Sequence, residues 1–268
     1  MSAVNAIGGT TVKIVRYQTP SGPAHGAIQA DGSVRALKGS PFEKPTLGDS
    51  AGPLDKLTLL PPFDNGKTIC VGLNYIKHIE ETNAKRPEFP LLFMKPRTAL
   101  IGHGANVVYP KISENVHYEA ELVIVMGKRG KWIPRERAAE HILGYTIGND
   151  ISARDWQRKE MANGFILWGK GMDTFGPVGP HVDTEIDGSD LRIQLRVNGE
   201  TKQDSRTSDL LFDAAHLVSE LSKAFTFEPG DMIWTGTPSG VGPIKPGDEM
   251  EVEIEGIGVL RNRVVAEG

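Results

Sequence analysis

The chain has 268 residues, of which 24% are charged and 39% are hydrophobic, a balance that excludes intrinsic disorder. Its formal net charge of −4 makes it a poor ligand for polyanions, so we expect no nucleic-acid partner. No apolar run approaches the roughly 18 residues of a membrane span, and we expect no membrane association. Residues 1–8 lack the basic start of a signal peptide, and a single cysteine, Cys70, cannot form an internal disulfide. We therefore expect a cytoplasmic protein.

The first part of the chain predicts a small β-rich domain over residues 1–62. Short apolar runs lie at 12–17, 26–30 and 34–37, and Asp31-Gly32 between the last two is a strong hairpin signal. Pro61-Pro62 then interrupts the pattern, and we place the domain boundary there. The 31 glycines and 18 prolines exceed the average content, so we expect many turns and short strands rather than a helical bundle.

Residues 63–268 predict a second domain that is mostly β with a few helices (α+β) and mostly antiparallel. Two amphipathic segments predict helices, at Pro134–Ile142 and at Ser208–Leu221, where Ser208 is the expected N-cap. The predicted strands are Thr68–Gly72, His117–Val125, Gly144–Asp150, Met232–Trp234, Glu249–Ile254 and Val259–Val265.

Three carboxylates form the first candidate site. Glu119 and Glu121 are two apart, so a strand places both on one face, and Asp150 ends the next predicted strand. Two carboxylates facing one pocket repel each other unless a cation lies between them. Hard oxygen ligands favour Mg²⁺, Mn²⁺ or Ca²⁺ over Zn²⁺. The alternative is that both glutamates lie on the solvated face of an edge strand.

A histidine and a glutamate form the second candidate site. His78 and Glu81 are three apart, so on a helical turn the carboxylate can orient the imidazole as a general base toward water. The polar residues 79–90 around them are a candidate mobile lid. The alternative is that His78 only decorates a surface loop.

The ordered motifs resemble the fumarylacetoacetate hydrolase family over roughly residues 67–265, and the first 60 residues are similar to the small extra domain of many bacterial members. The motifs that carry this resemblance are 71–75 (VGLNY) with His78 and Glu81, 93–96 (FMKP), 118–122 (YEAEL), 144–155 (GYTIGNDISARD), 170–177 (KGMDTFGP) and 230–242 (GDMIWTGTPSGVG).

The resemblance implies a mixed β-roll core, usually in a homodimer, with Mg²⁺ held by Glu119, Glu121 and Asp150 and with water completing its shell. It implies the following roles for the other matched residues: His78 and Glu81 as the base dyad, Lys170 as a catalytic residue, and Gln157, Thr237 and Tyr75 as substrate-binding residues. Some relatives have Arg at the position of Leu73, or Ala-Asp at 76–77, and these departures leave the exact substrate open.

The resulting hypothesis is divalent-metal-dependent hydrolysis of a C–C bond in a 1,3-dicarbonyl 2-oxo acid of the acylpyruvate type. His78 would activate water while Lys170 and Gln157 stabilise the oxyanion. The main competing hypothesis is an isomerase or decarboxylase acting on a 2-oxo or 2-hydroxydienoate dicarboxylate. Three further hypotheses are a non-catalytic 2-oxo acid binder, a cupin-like oxygenase, which needs clustered histidines, and a Schiff-base mechanism at Lys170.

Overall fold

The computed structural model describes residues 12–268, so the prediction about residues 1–8 lies outside the described part. The strands of that part are β1 Lys13–Thr19, β2 Gly22–Ile28, β3 Ser33–Lys38, β4 Thr46–Pro53, β5 Leu59–Leu60, β6 Thr68–Gly72, β7 Leu91–Met94, β8 Leu100–Ile101, β9 Asn106–Tyr109, β10 Val116–Tyr118, β11 Ala120–Met126, β12 Ile142–Asn149, β13 Ser152–Ala153, β14 Gly176–Asp183, β15 Arg192–Val197, β16 Glu200–Arg206, β17 Met232–Trp234, β18 Gly242–Pro243, β19 Glu249–Ile254 and β20 Gly258–Ala266. The α-helices are α1 Ile76–Glu81, α2 Arg154–Met161, α3 Trp168–Gly171 and α4 Ala214–Ala224. Short 3-10 helices lie at Leu54–Lys56, Arg97–Ala99, Arg135–Glu140 and Thr207–Asp209.

The strands form three sheets, of 12, 5 and 3 strands. The largest runs in the order β4-β3-β2-β1-β14-β12-β11-β17-β6-β7, with β5 beside β1 and β8 beside β14. Most neighbours are antiparallel, and the pairs β17–β6, β20–β9 and β14–β8 are parallel. The predicted fold class, mostly strands with few helices in a mixed arrangement, is confirmed.

The N-terminal strands extend the large sheet instead of forming a separate one. Strand β1 pairs with β14 at Lys13 opposite Asp183 and Ile14 opposite Val182. The predicted hairpin is present between β2 and β3. Its turn is held by Asp31, whose Oδ1 accepts hydrogen bonds from the backbone N–H and the hydroxyl of Ser33. The domain boundary at residue 62 stays a prediction.

The first predicted helix is wrong in type. Residues 135–140 form a six-residue 3-10 helix, and Ile142 already begins β12. Ala138 is the only buried residue of that helix. Burial of a single methyl group stabilises a longer helix only slightly, so the chain continues into the next strand instead.

The second predicted helix begins later than expected. Helix α4 starts at Ala214, with Asp213 as its N-cap accepting the backbone N–H of His216 at 2.8 Å. Ser208 belongs instead to a preceding 3-10 helix, and its hydroxyl donates to Asp190 at 2.7 Å. Leu217, Val218 and Leu221 of the predicted apolar stripe are buried.

Strand β11 lies in the interior of the large sheet between β12 and β17, and all of its residues are buried. The solvated edge-strand interpretation of Glu119 and Glu121 is therefore wrong. The predicted strand 117–125 is real but divides at Glu119 into β10 and β11. Among the described residues, no helix is long and apolar enough to cross a membrane.

Candidate active site

The three carboxylates converge because two neighbouring strands hold them. Antiparallel pairing of β11 and β12 places Ala120 opposite Asn149, and the Asp150 N–H donates to the Glu119 carbonyl at 2.8 Å. Facing residues of a pair point to the same side of a sheet, and Glu121 shares that side with Glu119. One carboxylate oxygen from each of the three acids lies within 4.8 Å of the others. Oxygens that share one Mg²⁺ or Ca²⁺, each at about 2.0–2.6 Å from the ion, can be up to about 5 Å apart. The donor set therefore fits a divalent cation.

Three positively charged side chains surround this triad. Lys170, in α3, donates to Glu119 Oε2 at 2.8 Å and to Asp150 Oδ2 at 2.9 Å. Arg154, the first residue of α2, lies 2.6 Å from Glu119 Oε1. Lys95 follows β7, and its ammonium group lies 2.7 Å from Asp150 Oδ1.

These neighbours shift the pKa values of the site in opposite directions. Burial alone would raise the pKa of Glu119, but the combined attraction of Lys170 and Arg154 lowers it to about 2. For Glu121, burial and repulsion from Asp150 and Glu119 raise the pKa well above its usual value. Burial would lower the pKa of Lys170, yet Asp150 and Glu119 raise it overall. A protonated ammonium group is not a nucleophile, which argues against a Schiff-base mechanism.

The Thr-Gly-Thr-Pro turn packs directly behind the triad. The Gly236 N–H donates to Glu121 Oε2 at 2.9 Å. Gly236 has φ +94, and a Cβ there would lie 3.0 Å from the Val71 carbonyl oxygen. Only glycine brings this N–H to the carboxylate without crowding.

Gln203 links the triad to the next residue of that turn. It is the only buried residue of β16. Its Oε1 accepts the Ala120 N–H at 2.9 Å, and its Nε2 donates to Thr237 Oγ1 and to the Pro238 carbonyl, both at 2.8 Å. Sequence reasoning missed this residue, since an isolated glutamine in an exposed polar strand gives no signal.

The predicted dyad forms as the spacing required. His78 and Glu81 lie on the single short helix α1, and His78 Nδ1 is 3.1 Å from Glu81 Oε2. The same carboxylate accepts the Gly240 N–H at 3.1 Å. His78 is buried and its helix borders the cavity described next, so it does not merely decorate a surface loop.

One cavity of about 530 Å³ is lined by the carboxylate triad and by His78 of the second candidate site. Its wall includes the three acids, His78, Lys170, Gln157 and Thr237, together with apolar side chains of β6 and β7. Gln157 accepts a hydrogen bond from Arg154 at 2.8 Å. Tyr75 is fully buried outside this wall, where burial and the charge of Glu121 raise its pKa. The structure thus brings every predicted site residue except Tyr75 and Glu81 to the cavity wall, and Glu81 contacts His78 from outside that wall.

Several residues of the site, on the cavity wall or behind it, were not singled out from the sequence. Arg154 and Lys95 lie inside the matched motifs, so their motif positions were the available signal. His117 has no spacing signal but lines the cavity on the same strand face as Glu119, and burial lowers its pKa to about 4. Among the described residues the candidate metal group contains no histidine, which argues against a cupin-like site.

Two protein families match the chain. The family described as fumarylacetoacetate (FAA) hydrolase, C-terminal, matches residues 67–265, and the family described as Rv2993c-like, N-terminal, matches residues 12–62. The carboxylate triad, the dyad and the turn at residues 235–238 all lie in the first of these ranges.

Solved structures and known proteins are also similar to this chain. The chain resembles 5-carboxymethyl-2-hydroxymuconate delta-isomerase from Mycobacterium smegmatis, with 45% identity, a TM-score of 0.88, and coverage of 95% of this chain and 100% of that one. It also resembles 2-hydroxyhepta-2,4-diene-1,7-dioate isomerase from Mycobacterium marinum, with 40% identity, a TM-score of 0.88, and coverage of 96% and 100%. Oxaloacetate tautomerase FAHD2A, mitochondrial, from Bos taurus is 41% identical over 224 residues, which are 80% of this chain and 71% of that protein. The fold, the acidic triad and these matches together show that the chain belongs to the fumarylacetoacetate hydrolase family of enzymes.

Proposed function

We propose that the chain hydrolyses a C–C bond in a 1,3-dicarbonyl 2-oxo acid of the acylpyruvate type, in the presence of Mg²⁺. The observation that carries this proposal is that His78, paired with Glu81, lines the same cavity as the carboxylate triad. Water activation needs an oriented base, whereas binding of a 2-oxo acid alone does not.

Glu119, Glu121 and Asp150 would hold the metal ion, because they are buried and their oxygens converge. A divalent cation there supplies Lewis acidity toward the oxygens of a 2-oxo acid and accepts electron density from the breaking bond. Mn²⁺ and Ca²⁺ remain candidates, since hard-oxygen sites separate these ions poorly by residue type.

The residues of the chain supply the proton transfers. His78, oriented by Glu81, takes a proton from water, and the hydroxide adds to the distal carbonyl carbon. The C–C bond then breaks, its electron pair passes to the pyruvate part as an enolate, and the acyl part leaves as a carboxylic acid. Protonation of the enolate carbon gives pyruvate and balances the reaction. Lys170 and Gln157 line the cavity and would stabilise the developing oxyanion, and Thr237 contributes a hydroxyl to the wall.

Product analysis tests the proposal. We expect acetylpyruvate, or a longer acylpyruvate, to give pyruvate and the matching carboxylic acid in equal amounts with Mg²⁺. His78→Asn should lower kcat by roughly 10²–10⁴-fold. Formation of an isomer or of CO₂ instead of the two acids would reject hydrolysis, and full turnover by His78→Asn would reject the base assignment.

The second candidate is tautomerisation or isomerisation of a 2-oxo dicarboxylate. It is favoured by the relative named oxaloacetate tautomerase, and by Arg158. Arg158 lines the cavity, and no described carboxylate lies within 4.0 Å of it in an ion pair, so a second carboxylate of a substrate could pair there. Turnover of oxaloacetate between its keto and enol forms, followed by ultraviolet absorbance, distinguishes this candidate from hydrolysis.

We also propose that the chain acts as a homodimer in the cytoplasm. The large exposed apolar side chains of the edge strand β7, Leu91, Leu92 and Met94, support an apolar contact there. Light scattering after size exclusion should give a mass near twice the 29.1 kDa of one chain, and a monomer would contradict the proposal.

A further inference from the structure

Three cations, of which Lys95 and Lys170 are buried and Arg154 is partly buried, pair with only two of the three carboxylates. Lys170 bridges Glu119 and Asp150, Arg154 pairs with Glu119, and Lys95 pairs with Asp150. Both oxygens of Glu119 and both oxygens of Asp150 are therefore already engaged by positive charge. Two of the three carboxylates that would hold a divalent ion are thus already paired with cations.

Glu121 differs from its two neighbours. No lysine or arginine of the described chain lies within 4.0 Å of its carboxylate in an ion pair, and its Oε2 receives only the Gly236 N–H. An incoming ion thus meets one carboxylate without a cation and two that already have one or more.

Lys95 is the most firmly fixed of the three cations. Its side chain is 0% exposed, and it lies behind Asp150 rather than on the cavity wall. In addition to its ion pair with Asp150, its ammonium group donates hydrogen bonds to the Phe175 carbonyl at 2.8 Å and to the carbonyl of Lys170. These contacts leave it no room to move away, so its positive charge stays beside the site whatever binds in the cavity.

The charges of the site balance once all three carboxylates are ionised, as they must be to hold a cation. The triad carries three negative charges when fully ionised, and Lys95, Lys170 and Arg154 carry three positive ones. The affinity of an oxygen site for a divalent ion rises with the negative charge of its ligands, so the neutralised triad attracts such an ion weakly. Once bound, the ion leaves two positive charges that the protein does not offset, in a region with little water.

We propose that Lys95, Lys170 and Arg154 make the binding of the divalent ion and of the anionic substrate interdependent, so that each binds firmly only with the other. This inference rests on the proposed function in taking a 2-oxo acid as the ligand. Linkage requires the two effects to be equal, so the factor by which the acid tightens the ion is also the factor by which the ion tightens the acid.

Titration calorimetry of the purified chain with Mn²⁺, with and without saturating oxalate, tests the coupling. Oxalate is a dianion with two adjacent chelating oxygens. The free Mn²⁺ concentration is corrected for the Mn²⁺–oxalate complex that forms in solution. We expect oxalate to lower the Kd of Mn²⁺ at least tenfold. Lys95→Met removes one positive charge from the site. Mn²⁺ alone should therefore bind at least tenfold more tightly, and the factor by which oxalate lowers the Kd of Mn²⁺ should shrink.

Lys67→Met is the matched control. Lys67 also pairs with a buried aspartate, since its ammonium group lies 2.5 Å from Asp231. It precedes β6, whose other end at Gly72 reaches the cavity about 16 Å away at the usual rise per residue. Its loss should leave the Mn²⁺ affinity unchanged.

Equal Mn²⁺ affinities with and without oxalate would overturn the inference, as would unchanged or weaker Mn²⁺ binding in Lys95→Met. If Lys95→Met does not fold, Arg154→Gln removes one positive charge from the cavity side of the site instead, and the same result is expected. Coupling without turnover of any 2-oxo acid would refute the proposed function and leave the coupling standing. Turnover without coupling would refute only the coupling.

Discussion

Replacing Gln203 by leucine tests whether a single buried glutamine holds strand β11 and the turn at residues 235–238 together. The substitution keeps a similar volume but removes one acceptor and two donors. The Ala120 N–H lies between Glu119 and Glu121 and would be left buried without a partner. Each such group costs about 1–3 kcal/mol, and the Pro238 carbonyl is a second one, whereas the Thr237 hydroxyl can turn to water in the cavity.

The expected loss of stability is therefore about 2–6 kcal/mol. In a domain of this size each kcal/mol lowers Tm by about 2–4 °C, so we expect a fall of roughly 4–24 °C. Partners that orient metal ligands typically contribute about 10–100-fold to metal affinity, so Mn²⁺ binding should weaken as well. Differential scanning calorimetry and Mn²⁺ titration measure the two effects.

Gln194→Leu is the control, because Gln194 lies on the adjacent strand β15, is half-buried, and makes one exposed hydrogen bond to Asp204. Its loss should cost less than about 0.5 kcal/mol. If the Gln203 variant melts within a degree or two of the Gln194 variant and binds Mn²⁺ equally well, Gln203 does not position the site.

Three further outcomes are expected. Glu81→Gln keeps the helix but loses the charge that orients His78, so kcat should fall at least tenfold while Mn²⁺ affinity stays unchanged; an equal loss of Mn²⁺ affinity would place the effect elsewhere. Gly236→Ala should be less stable than Gly247→Ala by about 1–3 kcal/mol in urea unfolding, because the two φ angles, +94 and +98, are similar, but only position 236 brings the new Cβ to 3.0 Å from the Val71 oxygen. Equal stability of the two variants would show that the turn relaxes freely. Treatment with EDTA should abolish turnover, and Mg²⁺ or Mn²⁺ should restore it; activity that survives complete removal of metal would contradict the proposed role of the triad.

The amino-acid sequence by itself determined the local elements and the residue types of the site. Strand Thr68–Gly72 was predicted with the bounds it has, because a short apolar run between turn residues leaves few other conformations. The spacing of His78 and Glu81 likewise predicted their contact, since residues three apart on a helical turn are neighbours. The alternation of Glu119 and Glu121 placed both on one face of a strand.

Only the tertiary structure decided which residues from distant parts of the chain contact the site. Lys95 reaches Asp150 across 55 positions, and Gln203 reaches Ala120 across 83. No local periodicity encodes such contacts, because they depend on which strands become neighbours. The N-cap of α4 is Asp213 rather than Ser208 for the same reason, since Ser208 has its partner, Asp190, outside the helix. Local patterns describe the nearest turns of the chain, while the charge balance of the site arises from packing distant segments around one buried strand.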